Sequence, residues 1–431
     1  MEELPAKKSN RNEKIVMPIT WNFTTTATLI IFIMTYIGIA AGGFWGLKLD
    51  RAGITLLGSI ALLVFGCSTL PEAVNNVNFE SILLLFALMI ISCQLQCAGF
   101  YHKAAKLISG FMSKPALFLL ILMVSSGILS AFLNNDVVCF AFTPIVAISL
   151  LRKRFNPIPF LIALAISSNI GCAITIIGNA QDVLIGEMTQ LSFGKYMLFA
   201  VVPVSISMLI AYFIILFISR KHLTLVVDKN FVPPKEDTTP LHTWRTIKGL
   251  IAIVVIIILF FTPLPRYMVA LAIAGLLLCS HKLESKVVLK LVDWQLLILF
   301  TGLFVIVGTF QDIGLGKAAL QWISGHGLEL NNPYILTLST GVLSNLINNS
   351  AAVILLVHLV DLSNPINGYI LALANTLAGN LFLIGSVANI IVIKKAKEFG
   401  VHISFWKFAV YGIPVALASY ITLLLWLYIM I

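Results

Sequence analysis

Apolar runs of about twenty residues recur from one end of this chain to the other, each long enough to cross a hydrocarbon layer of roughly 30 Å as a helix. Lipid offers no hydrogen-bond partners to the backbone, so such runs must satisfy their own polar groups as helices. Only 11% of the 431 residues are charged and 59% are hydrophobic, with a mean hydropathy of +1.00. Soluble domains carry about 25% charged residues, so the water-soluble globular classes are excluded, along with disorder and disulfide-framed secreted modules. The sequence predicts an all-α polytopic membrane protein.

Candidate spans cover 22–43, 53–70, 81–99, 158–178, 196–218, 247–262, 267–280, 294–310, 369–385 and 405–430. Two further apolar stretches are interrupted. Residues 116–150 are broken by Asn134, Asn135 and Asp136, and 334–360 by Asn348, Asn349 and Ser350. Each half is short for a crossing, so both stretches are expected to be re-entrant hairpins with polar tips at membrane depth.

Internal repetition organises the rest. The segment starting at Ile82 matches the one starting at Leu296, 214 residues later, and the two hairpin tips keep the same spacing. Ile177-Gly178 then pairs with Ile384-Gly385, Ser192 to Lys195 with Ser404 to Lys407, and Pro203 with Pro414. The expected plan is a polar tail (1–20), a first repeat (21–218) with hairpin 116–150 and broken helix 158–190, a hydrophilic linker (219–246), and a second repeat (247–431) with hairpin 334–360 and broken helix 369–396. Five spans per unit is an odd number, so the second copy enters the membrane upside down. That is the signature of inverted-repeat secondary transporters, with discontinuous helices at the midplane.

Loop charge tests the layout. With the residues before the first span outside, the cytoplasmic segments hold 21 lysines and arginines and the outer loops only Lys195, Arg266 and Lys317. The tail disagrees, since Lys7, Lys8, Arg11 and Lys14 favour the cytoplasm. The net charge of +10 needs no anionic partner beyond this orienting role. No short apolar stretch with a small-residue cleavage pattern opens the chain, so no cleavable signal peptide is expected.

Asparagine pairs at a membrane hairpin are costly unless they line a hydrated cavity or bind something. Tips entering from opposite faces would meet near the midplane, with the helix N-termini of their second arms offering free N–H groups to an oxygen-rich solute. Asn134, Asn135, Asn348, Asn349 and Ser350 are therefore the substrate-binding candidates, although amides can also simply close a turn. Each hairpin is followed by a span interrupted by glycine and small polar residues, which lets a helix unwind and expose carbonyls. These spans add Asn169, Asn375 and Thr376 for the substrate, and Gly178, Asn179, Gly385 and Asn389 for a coupling ion; small-residue helix packing would account for the same pattern.

Asp136 and Asp182 are the ion-coupling acids. Their repeat counterparts are Ser350 and Asn389, so each site is expected to set one titratable group facing a neutral one. A carboxylate at this depth can load and release a proton or serve as a fixed cation ligand. His358 fits a proton relay or plain packing. Cys93 and Cys97 fit a soft-ligand pair or core residues, and Cys139 and Cys172 lie where they would favour a thiophilic solute. Asp293 and Asp312 fall at span ends, where water suffices. The six cysteines lie within apolar segments with no zinc spacing, and no metal or cofactor is expected. No metalloprotease, nucleophile-elbow or Walker motif occurs, so neither an enzyme of those kinds nor an ATP-driven pump is supported.

The segments LNNDVVCFAFTPIV, ITIIGNAQDVLI, SNLINNSAAVILL and LFLIGSVANIIVIKKAKEFG resemble the ion transporter superfamily, most closely its arsenical-pump membrane protein branch (ArsB-like) and related bacterial anion permeases. In that branch the hairpin tips are of Asn-Asp and Asn-Asn type, matching Asn135-Asp136 and Asn348-Asn349. The resemblance implies a homodimer built on a scaffold domain, with an elevator-like transport domain carrying hairpins and broken helices. It implies export of arsenite or antimonite in exchange for protons, a bacterial inner-membrane location, and association with a soluble arsenical-pump ATPase. No nucleic-acid partner is expected. The Ser-Asn-Thr tips of the sodium/dicarboxylate relatives are absent, and Asp182 stands where relatives often carry a neutral amide.

The leading expectation is thus a proton-coupled antiporter exporting arsenite or antimonite. A sodium-coupled importer of an organic or inorganic anion on the same fold is the alternative, and a passive anion or solute channel the alternative of another class.

Overall fold

The computed structural model describes residues 21–43, 48–220, 240–279 and 284–431. The tail expected at 1–20 and most of the linker expected at 219–246 lie outside the described residues.

Among the described residues the chain is helical throughout, and the same order of ten helices runs twice. The first half holds α1 (Phe23–Ala41), α2 (Arg51–Val64), α3 (Leu70–Asn76), α4 (Phe79–Cys97), α5 (Phe100–Ser109), α6 (Pro115–Phe132), α7 (Asn135–Arg152), α8 (Ile158–Cys172), α9 (Ala180–Met188) and α10 (Phe193–Ser219). The second holds α11 (Thr243–Phe260), α12 (Arg266–Leu278), α13 (Ser285–Leu291), α14 (Trp294–Asp312), α15 (Leu315–Gly325), α16 (Pro333–Ile347), α17 (Asn349–Leu359), α18 (Pro365–Ala378), α19 (Val387–Glu398) and α20 (Phe405–Met430). Eight of these helices are long and apolar enough to cross a membrane. Pro203 and Pro414 sit inside α10 and α20, where a missing N–H is tolerated in lipid.

Asparagine starts many of these helices. Asn22, Asn78, Asn134, Asn179, Asn332, Asn348 and Asn364 each accept from a backbone N–H in the first turn that follows. At the hairpin tips this cap matters most, because water is scarce at membrane depth and the exposed N–H groups of α7 and α17 need partners.

The helices gather into two bundles. In one, α2 packs on α14 and α4 on α12, so each half supplies a partner to the other, with α1 and α11 alongside. Close approach is built from small residues: a Cβ on Gly302 would meet Thr55, and the Ser59 hydroxyl donates to the Gly302 carbonyl at 3.1 Å. In the other bundle α6 packs on α8 and α16 on α18, while α7 crosses to α19 and α9 to α17. Gly127 and Gly171 touch backbone to backbone, flanked by Ser126–Ser167 and Ser130–Ser168 hydroxyl pairs at 2.7 Å each. The α10 and α20 helices pack together and turn Phe213, Phe217, Leu417, Ile421 and Leu425 outward as a lipid-facing surface.

The first hairpin differs from expectation in one respect. Its arms are 18 residues each, long enough to cross, whereas those of the second are 15 and 11. What marks the first as a hairpin is its tip, which docks inside the protein: the Asn135 N–H donates to the Gly178 carbonyl in the break between α8 and α9, at 3.1 Å.

Candidate functional site

Two helix breaks and two hairpin tips meet in the second bundle. The breaks are residues 173–179, between α8 and α9, and 379–386, between α18 and α19, and glycines fold them tightly. A Cβ on Gly178 would run into the Cys172 backbone, and one on Gly385 would press on Gly379 and Asn345.

Three polar groupings result. The first is a narrow cleft, walled by Asn135 and Asp136 from one tip, by Asn348 and Asn349 from the other, and closed by Gln181, Gly385 and Ser386. The side chains of Asn134 and Asn348 are spent on capping, accepting from the N–H of Asp136 (2.8 Å) and Ser350 (2.9 Å). The Gln181 amide donates to the Ser350 hydroxyl at 2.9 Å, bridging the first broken helix to the opposite tip.

The second grouping centres on Asn169. Its amide donates to Asn380 and Asn389, both at 3.0 Å, and its oxygen accepts from Asn135 (3.2 Å) and Ser386 (3.0 Å). Asn389 in turn donates to the Gly379 and Phe382 carbonyls freed by the break. One buried amide thereby ties the second break to the first tip. In the second half Asn375 binds Ser344, which also binds Asn349, each at 2.7 Å.

The third grouping surrounds Asp182, which is fully buried in the first turn of α9. It accepts from the Thr376 hydroxyl of α18 at 2.9 Å and from the Asn179 amide at 2.7 Å. Asn179 also contacts Cys172, whose thiol donates to the Asn169 carbonyl at 3.1 Å. The side chains that donate to Asp182 are thus neutral, a hydroxyl and an amide. Such a site can hold a carboxylate with a proton or beside a bound cation.

Several residues that the sequence groups together therefore separate once folded, and the reasons are local. Asn134 lines a different, mostly apolar crevice with Leu88, Phe132 and Ile256, because its side chain turns back to cap α7. Asp182 faces Thr376 rather than Asn389, since it projects from the short α9 toward α18 while Asn389 is held in its own break. Ser350 faces Gln181 rather than Asp136. Gly178 gives its carbonyl to Asn135. Gln181, Ser386, Asn380 and Ser344 join the site without having stood out in the sequence; their one signal is polarity within an interrupted apolar run. Cys139 and Cys172 are buried beside the site, His358 bonds the Ile354 carbonyl, and among the described residues no group of three histidine, cysteine or acidic side chains gathers to hold a metal. A larger, mostly apolar groove opens between α16, α18 and α20 and reaches the second break at Leu381 and Phe382, with Asn345 in its wall.

Residues 27–378 match the CitMHS family, described as citrate transporters. The chain belongs to that family. It is therefore a membrane transporter of the ion transporter superfamily, and a multi-pass protein of the cell membrane. It is 27% identical to an uncharacterized transporter of Mycobacterium bovis, over 92% of this chain and 96% of that one. It is 24% identical to a Dictyostelium discoideum protein provisionally named transporter arsB, over 90% of this chain and 89% of that one. Among solved structures it is similar to the YdaH transporter of Alcanivorax borkumensis, with a TM-score of 0.59 and 12% identity, covering 95% of this chain and 98% of that one. The likeness is one of fold.

Proposed function

We propose that this transporter is a proton-coupled antiporter that exports an uncharged, oxygen-rich metalloid hydroxide of the arsenite or antimonite class. The observation that carries this reading is the cleft between the two tips: its polar walls are amides, a hydroxyl and one carboxylate, with no basic side chain. A tricarboxylate such as citrate brings several negative charges and would meet Asp136 with no lysine or arginine to offset them. A neutral trihydroxide needs only donors and acceptors at close range, which Asn135, Asn349, Gln181 and Ser386 supply.

In this reading the tips and breaks move as one body against the bundle built on α2, α4, α12 and α14, presenting the cleft to each side in turn. The two halves enter the membrane with opposite orientation. Asp136, at the cleft wall, takes up a proton on one side and releases it on the other, biasing the body toward the face at which the exchange occurs. Asp182, deeper and held by Thr376 and Asn179, is the second coupling group. The buried carboxylate and the Thr376 hydroxyl also support the sodium-coupled alternative, since both can offer oxygen to a small cation. A homodimer and a soluble ATPase partner belong to this proposal through the arsenical-pump resemblance.

Reconstituted protein in vesicles tests it directly. Arsenite release should follow an imposed pH gradient and be indifferent to sodium. Sodium-driven citrate uptake without arsenite flux would replace this reading by the importer, and flux independent of both gradients would replace it by a channel.

A further inference from the structure

Arg266 is the first residue of α12, in the bundle taken as fixed, yet its guanidinium is spent on α9, in the bundle taken as moving. Its Nε lies 3.2 Å from the Glu187 carboxylate, Nη1 donates to the Leu191 carbonyl at 3.0 Å, and Nη2 donates to the Gly186 carbonyl at 2.9 Å. The side chains are only 10% and 4% exposed. These carbonyls lie at the C-terminal end of α9 and in the turn after it, where the negative end of the helix dipole favours a cation. Aromatic packing seals the contact: Phe193 stacks edge-on against Phe260 and Phe261.

α9 has nine residues, from Ala180 to Met188, with Asp182 in its first turn and Glu187 in its last. A single short rod therefore joins the clamp to the coupling carboxylate. The second half provides a comparison. Arg51 opens α2 as Arg266 opens α12, and aligning Gly385 with Gly178 places Lys394 where Glu187 stands. No ion pair joins Arg51 to a described carboxylate. In an inverted repeat the two halves exchange conformations between the two end states, so the counterpart of the Arg266–Glu187 pair in the other state is Arg51 opposite Lys394, two like charges.

We propose that Arg266 and Glu187 form a latch between the two bundles that holds the transporter in the conformation seen here, must open in every cycle, and positions Asp182 through α9. The proposal rests on the moving-bundle reading of the proposed function. Removing the latch should release the present state, and an acid at 394 should build its missing twin and favour the other one.

Hydrogen–deuterium exchange on the full chain in lipid nanodiscs tests this without a substrate. Arg266→Gln and Glu187→Gln should each raise exchange in 186–194, Arg266→Gln by about tenfold, and also in the distant cleft segment 381–387, and the double variant should go no further than Arg266→Gln alone, which already removes the ion pair together with both carbonyl bonds. Lys394→Glu should change exchange in 381–387 in the same direction without lowering the melting temperature. A response confined to 186–194, or a double variant that adds the two single effects, would overturn the latch. Arsenite counterflow on the unmodified protein is the separate arm: absence of flux there counts against the transport reading and leaves the exchange result to judge the latch, whereas wild-type flux with an unaltered rate in Arg266→Gln counts against the latch alone.

Discussion

The Thr376 hydroxyl donates to the Asp182 carboxylate at 2.9 Å, joining residues 194 positions apart and from opposite halves of the chain. Both side chains are buried, and neither helix alone gives Asp182 the partners it needs. The contact fixes the depth of α9 against α18, and with it the distance between the deep carboxylate and the cleft.

Thr376→Val removes this donor while keeping the side chain's shape. A buried carboxylate short of one partner should cost about 1–3 kcal/mol, read as a lower melting temperature in detergent. Transport should also change its pH dependence, because the bond it removes ends on the carboxylate proposed as the second coupling group. A melting temperature and pH profile equal to the parent's would show that the bond is dispensable.

Asp136→Asn keeps the cleft's shape and removes its only ionisable wall. Arsenite efflux driven by a pH gradient should be abolished in vesicles, while arsenite still stabilises the purified protein. Efflux at the parent rate would take Asp136 out of the coupling step.

Gly171→Ala should destabilise by about 1–3 kcal/mol, since its new methyl would press on the Gly127 backbone, which has nowhere to go. Gly127→Ala meets mainly the flexible end of Met208 and should cost less. Equal melting temperatures for the two variants would contradict the backbone contact between α6 and α8.

Glu72 accepts from the Thr69 N–H at 2.7 Å in a capping box at the start of α3, and that bond holds its carboxyl below the usual range. A carboxyl depressed in the folded state contributes stability above its unfolded value, which is lost as pH falls through the depressed one. The difference in melting temperature between the parent and Glu72→Gln should therefore be present at neutral pH and vanish in acid. A difference that grows on acidification would reverse the assignment.

The comparison between halves shows which features local chemistry sets. The tips at Asn134-Asn135-Asp136 and Asn348-Asn349-Ser350 were legible because an amide pair in the middle of an apolar run has a strong local meaning: it stops one helix and caps the next. The breaks at Gly178 and Gly385 were legible for the same reason, as glycine among small polar residues unwinds a helix wherever it lies. Asn169 also stood out, but not as the hub that ties four residues together, since its partners come from both halves.

Sequence alone determined that this chain lives in lipid, because its apolar lengths match a bilayer and nothing in water could repay their exposure. It also determined that a single unit occurs twice, since glycine, proline and asparagine punctuate the helices in the same order in both halves. Only the tertiary structure decided which polar groups face each other: that Asp182 meets Thr376, that Gln181 reaches Ser350, and that Arg266 grips the end of α9. Those pairings cross between halves, and the distance between two side chains on separate helices depends on how the helices pack, which no local pattern encodes.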